Sequence, residues 1–280
     1  MNTKYEIRTA SHYRDAKHYD TERIREEFLL PVLFEKDSIC WYYSEYDRYM
    51  VGGVYPVNKP LILEAIDPLK SSYFLERREL GIINIGGPAK ISVDNEIFEV
   101  LNKEALYLGR GIQKVTFESK EAGNPAKLYV NSAPAHVSYP SKKISLAEAD
   151  TLELGNQESS NQRRINRLII NSLVKTCQLQ MGLTEFLPGS VWNTMPPHTH
   201  SRRMEAYFYF GIPENQAVCH FMGETHETRH IWVQNEQAVI SPPWSIHAGV
   251  GTAKYSFIWG MAGENLDYSD MDVCQPSDLR

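Results

Sequence analysis

Short apolar segments separated by turn-forming residues run along most of the chain. In the first half they are MVGGVYP (50–56), LGIINIGGPAKISVDNEIFEV (80–100), ALYLGRG (105–111) and KLYVNSAP (127–134). In the second half they are CQLQMGLTEF (177–186), EAYFYF (205–210), QAVCHFMG (216–223), HIWVQ (230–234), QAVISPPW (237–244) and YSFIWGMAG (255–263). Turns roughly every ten residues predict an all-β sandwich or barrel. Gly86–Pro88 and Asp94-Asn95 carry the residues that close hairpins. DTERIREEFLL, from Asp20, predicts a short helix: acidic residues come early, and Ile24, Phe28 and Leu29 fall on one side. The polar interval from Ser141 to Leu168, rich in Ser, Asn and Gln, predicts the linker between two domains, 1–145 and 146–280.

The two halves resemble each other. FLERRELGIINI (74–85) parallels THSRRMEAYFYF (199–210), setting Arg77-Arg78 against Arg202-Arg203. EALYLGRG (104–111) parallels QAVISPPW (237–244), and a loop difference of about eight residues reconciles the two offsets. The expected architecture is a duplicated pair of β-barrel halves with a few short helices.

Composition narrows the partners. A chain of 280 residues, 42 % hydrophobic and 23 % charged, has the balance of an ordinary globular protein. Its net charge of −6 provides no basic field for nucleic acid or anionic lipid. A small anionic substrate stays open wherever a few arginines gather. No stretch approaches the roughly 18 apolar residues of a membrane span, and the charged opening lacks a secretory pattern. Cys40, Cys177, Cys219 and Cys274 show no CxxC spacing, as expected of reduced cysteines in a cytoplasmic protein.

The chemistry concentrates in MPPHTHSRRMEAYFYF (195–210). Residues two apart on a strand project from one face, so His198 and His200 point into one cavity. Glu205 has the wrong parity for the same strand. SRRM therefore turns the chain, and Glu205 opens a second strand that it shares on one face with Tyr207 and Tyr209. His247, delivered by the Pro-rich SPPWSIH, is the best fourth ligand. Three imidazoles and one carboxylate suit Zn²⁺, Fe²⁺, Mn²⁺ or Ni²⁺. His220, inside an apolar segment, reads as a packed core histidine; Arg202, Arg203, Arg229, His230 and Tyr207 are candidate substrate contacts, with Arg163 and Arg164 also competing for an anionic group.

Two resemblances follow from these residues. Gly189…His198-x-His200-x4-Glu205-x5-Gly211 and Pro242-x4-His247 are similar to the two metal motifs of the cupin superfamily, with Trp244 where the second motif usually has glycine. More closely, YFLERRELGIINIGG, PAHVSYPSKK, CQLQMGLTEFLPGSVWNTMPPHTHSRRMEAYFYF and ETRHIWVQNEQAVISPPWSIHAGVGTAKYSFIWGMAGEN resemble the 5-keto-4-deoxyuronate isomerases of pectin breakdown, over nearly the whole chain. That resemblance implies a cytoplasmic, homo-oligomeric, zinc-dependent enzyme of two cupin-like jelly-roll halves. It implies one zinc per chain, held by His198, His200, Glu205 and His247, with a small uronate as substrate. The reaction it implies converts 5-dehydro-4-deoxy-D-glucuronate to 3-deoxy-D-glycero-2,5-hexodiulosonate through a metal-stabilised enediol(ate); Glu205 is the candidate catalytic carboxylate, with a metal-bound hydroxide as the alternative base. The alternatives are an Fe²⁺-dependent cupin dioxygenase and a uronate-binding cupin without activity. On the internal alignment the four ligands correspond to Tyr73, Leu75, Leu80 and Lys114, which cannot form such a site, so the first half is expected to be metal-free.

Overall fold

The computed structural model describes residues 2–264 and 270–280. Strands dominate, and the described helices are short: α1 (Tyr13–Ala16), α2 (Thr21–Phe28) and three 3₁₀ turns. Contacts divide the chain into two compact units, residues 1–7, 32–150 and 168–181 in one and residues 8–31, 151–167 and 182–280 in the other.

The first unit contains a seven-stranded sheet in the order β1 (Thr3–Arg8), β3 (Ser38–Ser44), β4 (Met50–Tyr55), β11 (Leu128–Pro134), β6 (Arg78–Asn84), β9 (Ala105–Leu108) and β12 (Lys142–Ile144). Its second sheet runs β5 (Leu61–Ile62), β10 (Val115–Ser119), β7 (Ala89–Val93) and β8 (Glu96–Val100). Alternation explains the core. Leu80 and Ile82, Leu106 and Leu108, and Leu128 and Val130 sit two apart on their strands and pack with Ile91, Val93 and Phe117 of the smaller sheet in one buried cluster.

The second unit contains a seven-stranded sheet in the order β13 (Asp150–Leu154), β14 (Arg163–Ile169), β15 (Gln180–Phe186), β23 (Ser256–Gly263), β18 (Arg203–Phe210), β21 (Gln237–Ser241) and β2 (Leu29–Leu30). Its four-stranded sheet runs β16 (Trp192–Asn193), β22 (Ala248–Gly251), β19 (Val218–Glu224) and β20 (Glu227–Val233), and a small ladder joins β17 (His198–Thr199) to β24 (Asp272–Val273).

The two strand orders correspond place for place, with β6, β9 and β11 of the first unit standing where β18, β21 and β23 stand in the second. The registers agree as well. Arg78 opens β6 opposite Pro134 and Leu80 pairs with Leu108, while Arg203 opens β18 opposite Gly263 and Glu205 pairs with Ser241. Leu80 thus occupies the place of Glu205.

Some expectations are corrected. The interval 141–168 is no unstructured linker, because β12, β13 and most of β14 lie in it. Gly86–Pro88 closes no hairpin, since β6 and β7 belong to different sheets, whereas Asp94-Asn95 does turn β7 into β8. The units are also not contiguous halves. Residues 8–31 join the second unit because Leu29 and Leu30 pair with Val239 and Ala238. Residues 168–181 join the first, where the buried Glu79 carboxylate accepts from the backbone N–H groups of Cys177, Gln178 and Leu179, each at 2.8 Å. The helix predicted from Asp20 is α2, with the Asp20 carboxylate accepting from Arg23 N–H at 2.8 Å as its N-cap.

Candidate metal centre

The four expected ligands converge at one end of the second unit. His198 lies on β17, in register with Val273 of β24. Ser201 and Arg202 form the turn that parity requires, and β18 then carries Glu205 between β21 and β23. His247 follows the Pro242-Pro243 turn and directly precedes β22. All four are buried, with one ligand atom from each lying within 4.8 Å of the others.

His198 Nε2 faces His247 Nε2 at 3.0 Å, His200 Nε2 stands 3.0 Å from Glu205 Oε1, and His247 Nε2 stands 3.3 Å from Glu205 Oε2. A tetrahedral ion with bonds of roughly 2.0–2.1 Å puts its ligand atoms about 3.3 Å apart, close to these separations. His200 Nε2 is buried and makes no hydrogen bond, as fits a lone pair directed at a cation. Electrostatics point the same way. Burial pushes His198 down to about 4 against the pull of Glu205, and it pushes His247 well below the usual imidazole range. Burial would raise Glu205, but the surrounding His247, His200 and His198 outweigh it and hold the carboxyl well below its usual range. A neutral His198, a neutral His247 and an ionised Glu205 are protonation states that suit a divalent cation. The residues present fit the ion.

The His200 ring is fixed from behind. Its Nδ1 is 3.2 Å from the Asp270 carbonyl oxygen, which leaves Nε2 for the centre. Asp270 also takes Arg203: its Oδ1 lies 2.6 Å from Nη2 of that guanidinium, which is 1 % exposed. Sequence reasoning missed Asp270, whose only signal was the acidic pair in DMD, 70 residues from His200.

A cavity of about 270 Å³ opens over the ligands. Its walls include Arg163, Thr194, Arg203, Tyr207, Trp259 and Met271, and the Tyr207 and Thr194 hydroxyls lie 3.0 Å apart. Tyr207 and Arg203 are therefore brought to the site. Three other expected contacts are not. Arg202 is exposed and meets Glu264 at 3.5 Å. Arg229 pairs with Glu227 at 2.9 Å and lines a separate, small pocket with Tyr13 and Phe28. His230 faces solvent with Trp232, because Ile231 and Val233 take the inward parity of β20. Arg163, half-buried on β14, is the cation the cavity offers in their place. His220 is a core residue as expected, fully buried, with Nδ1 2.7 Å from the Tyr209 hydroxyl.

Comparison with known proteins accords with this geometry. A relative from Formosa agariphila is 60 % identical over 280 residues, covering all of both chains, and is named 4-deoxy-L-threo-5-hexosulose-uronate ketol-isomerase. One from Bacteroides thetaiotaomicron, named 4-deoxy-L-threo-5-hexosulose-uronate ketol-isomerase 1, is 58 % identical with the same coverage. One from Lachnoclostridium phytofermentans, named like the first, is 54 % identical over 98 % of this chain and 100 % of its own. Among solved structures, an IolB-like protein from Salmonella typhimurium LT2 aligns with TM-score 0.64 at 15 % identity, over 81 % of this chain and 86 % of that one. Bacillus subtilis oxalate decarboxylase aligns with TM-score 0.56 at 12 % identity, over 80 % and 71 %. At such identities these two bear on the fold alone, which is all-β and cupin-like. The KduI/IolB family model matches residues 45–275, and together with the full-length relatives this makes the chain a member of the KduI/IolB family.

Proposed function

We propose that this chain is a zinc-dependent ketol-isomerase acting on 4-deoxy-L-threo-5-hexosulose-uronate, in pectin and uronate breakdown. The observation that carries the proposal is a buried His198–His200–Glu205–His247 constellation under a cavity, in a chain 60 % identical end to end to an enzyme of that name. Zinc is preferred because three imidazoles and a carboxylate at near-tetrahedral separations suit it, and proton transfer needs no redox-active ion.

An aldose–ketose exchange removes a proton from the carbon beside a carbonyl and returns one to the neighbouring carbon. A divalent cation at the centre supplies Lewis-acid stabilisation for the oxyanion that develops on the substrate. The chain's own groups provide the rest. Glu205, at the cavity floor on β18, is the carboxylate assigned to take and return the proton. Tyr207 extends from the same strand face and offers a hydroxyl to the reacting oxygen, anchored by Thr194 at 3.0 Å. Arg163, half-buried on the cavity wall, is assigned to the substrate's carboxylate. The apolar walls from Phe257, Trp259 and Met261 exclude water.

The proposal includes a first unit without metal, because Tyr73, Leu75, Leu80 and Lys114 stand at the positions corresponding to the ligands. It also includes a cytoplasmic, homo-oligomeric enzyme, as the family resemblance implies. The test is elemental analysis of purified wild type and His200→Ala, each assayed with the uronate. The expected result is about one zinc per chain, lost together with turnover in the variant. Iron with oxygen uptake would move the assignment to a dioxygenase. Uronate binding without turnover would leave a binding protein.

A further inference from the structure

The first unit has a cavity of its own, about 350 Å³, lined by Tyr43, Arg48, Leu69, Phe74, Arg77 and Arg78 among others. That volume is within the range of small-ligand pockets, roughly 300–1,000 Å³. The cavity lies where β6 begins and β11 ends, with Arg78 on one strand and Pro134 on the other. The corresponding position in the second unit is held by Arg203, whose charge is answered by Asp270 at 2.6 Å.

Arg78 has no such answer. It is 6 % exposed, and its partners among the described residues are neutral: Nε donates to Ser132 Oγ at 3.0 Å, and Nη2 donates to the carbonyl oxygens of Ser132 and Arg48 at 2.8 and 2.7 Å. Nη1 has no partner among the described residues. The adjacent Glu79 points to the other face of β6, where its carboxylate accepts from the Tyr107 hydroxyl and three backbone N–H groups. Burial lowers the guanidinium to about 10, with Arg48 adding to the fall and Tyr43 and the more distant charge of Glu79 opposing it, so it is still charged at neutral pH.

Around this charge stand two more. Arg48 and Arg77 are exposed at the mouth, and Nη2 of Arg77 is steadied by the carbonyls of Leu69 and Lys70. Lys70 is already neutralised by Asp67 at 2.6 Å. Three guanidinium groups therefore converge on one cavity, and none of them forms an ion pair with a described carboxylate. Leu69, Phe74 and Tyr43 line the remainder, and such walls strengthen any charge interaction made inside. A buried cation without a counter-charge is costly unless an anion arrives to meet it.

We propose that this cavity is a second ligand site, binding a small molecule through a carboxylate or phosphate group, with Arg78 as the buried counter-charge and Arg48 and Arg77 at the mouth. The site is independent of the isomerase assignment, since it shares no residue with the metal centre.

Isothermal titration of the zinc-loaded full chain with inorganic phosphate, D-glucuronate and D-glucose tests it. The expected result is saturable binding of at least one anion that the glucose control does not reproduce, weakened at least tenfold by Arg48→Asn and by Arg78→Met. Arg48 has φ +49, which asparagine tolerates, so the first variant keeps its fold and its turnover even where the second does not. Tighter phosphate binding would assign a phosphate ligand and tighter glucuronate binding a sugar acid, and either supports the site. Absence of anion binding, wild-type affinity in Arg48→Asn, or a loss confined to His200→Ala would overturn it.

Discussion

His220 shows at a single residue what burial does to chemistry. Fully enclosed, with Nδ1 against the Tyr209 hydroxyl, it is pushed down to about 3 by burial. A histidine whose folded pKa lies below its unfolded value stabilises the fold fully above about pH 6.5, and that stability drains as pH falls toward 3. Two pH units below 6.5, the loss from this one group is about 2–3 kcal/mol. Urea unfolding at neutral pH and near pH 4.5 is therefore expected to show a smaller acid loss in His220→Leu than in wild type. An unchanged difference would remove His220 from the acid sensitivity. At the cavity, Tyr207→Phe is expected to lower kcat about 10²–10³-fold with zinc content unchanged, the signature of a hydroxyl used in the reaction and not in metal binding. Residue-level legibility divides along the same line. His198, His200 and Glu205 announce themselves by local spacing, whereas Asp270 acts through a carbonyl and a carboxylate that only the fold brings to His200 and Arg203.

Elements explain which sequence readings held. Strand alternation placed Glu205, Tyr207 and Tyr209 on one face, and β18 bears that out, since Tyr207 lines the cavity and Tyr209 reaches His220. The same rule, applied to β20, would have turned His230 outward beside Trp232. The substrate-contact expectation for His230 left that parity out of account. The segment 8–31 was the hardest to place, because a two-residue strand such as β2 has no periodicity to detect. Its packing is nonetheless firm. Phe28 is 1 % exposed, with its ring edge-on to Trp244 at 6.1 Å. Phe28→Ala is expected to cost about 3–5 kcal/mol, read as a lowered denaturant midpoint. On β15, a Cβ at Gly182 would collide with the Trp259 ring, which is a wall of the metal cavity. Gly182→Ala should raise KM for the uronate more than it lowers zinc content, and an unaltered KM would free Trp259 from any part in shaping the cavity.

For the whole molecule, one strand order occurs twice. The matching orders and registers bring Leu80 and Glu205 to equivalent places. This much was legible from two short parallels in the sequence, but the exchange of end segments between the units was not, since it depends on tertiary pairing alone. Chelation offers a test at this scale. An ion bound only by the folded chain stabilises it by about 2.7 kcal/mol at a hundredfold excess over Kd, so stripping the metal should lower Tm and restoring zinc should recover it. An identical Tm in both states would show that the folded chain holds no ion in preference to the unfolded one.

The pairing of β17 with β24 bears on the order in which the enzyme is made. Asp270, which steadies His200, and Val273, which pairs with His198, follow every ligand in the chain. A ribosome therefore finishes all four ligands before it has made the segment that holds two of them in place. On the proposed ligand set the site is complete only once synthesis has passed residue 273, which would make metal capture a late step in the life of each new chain.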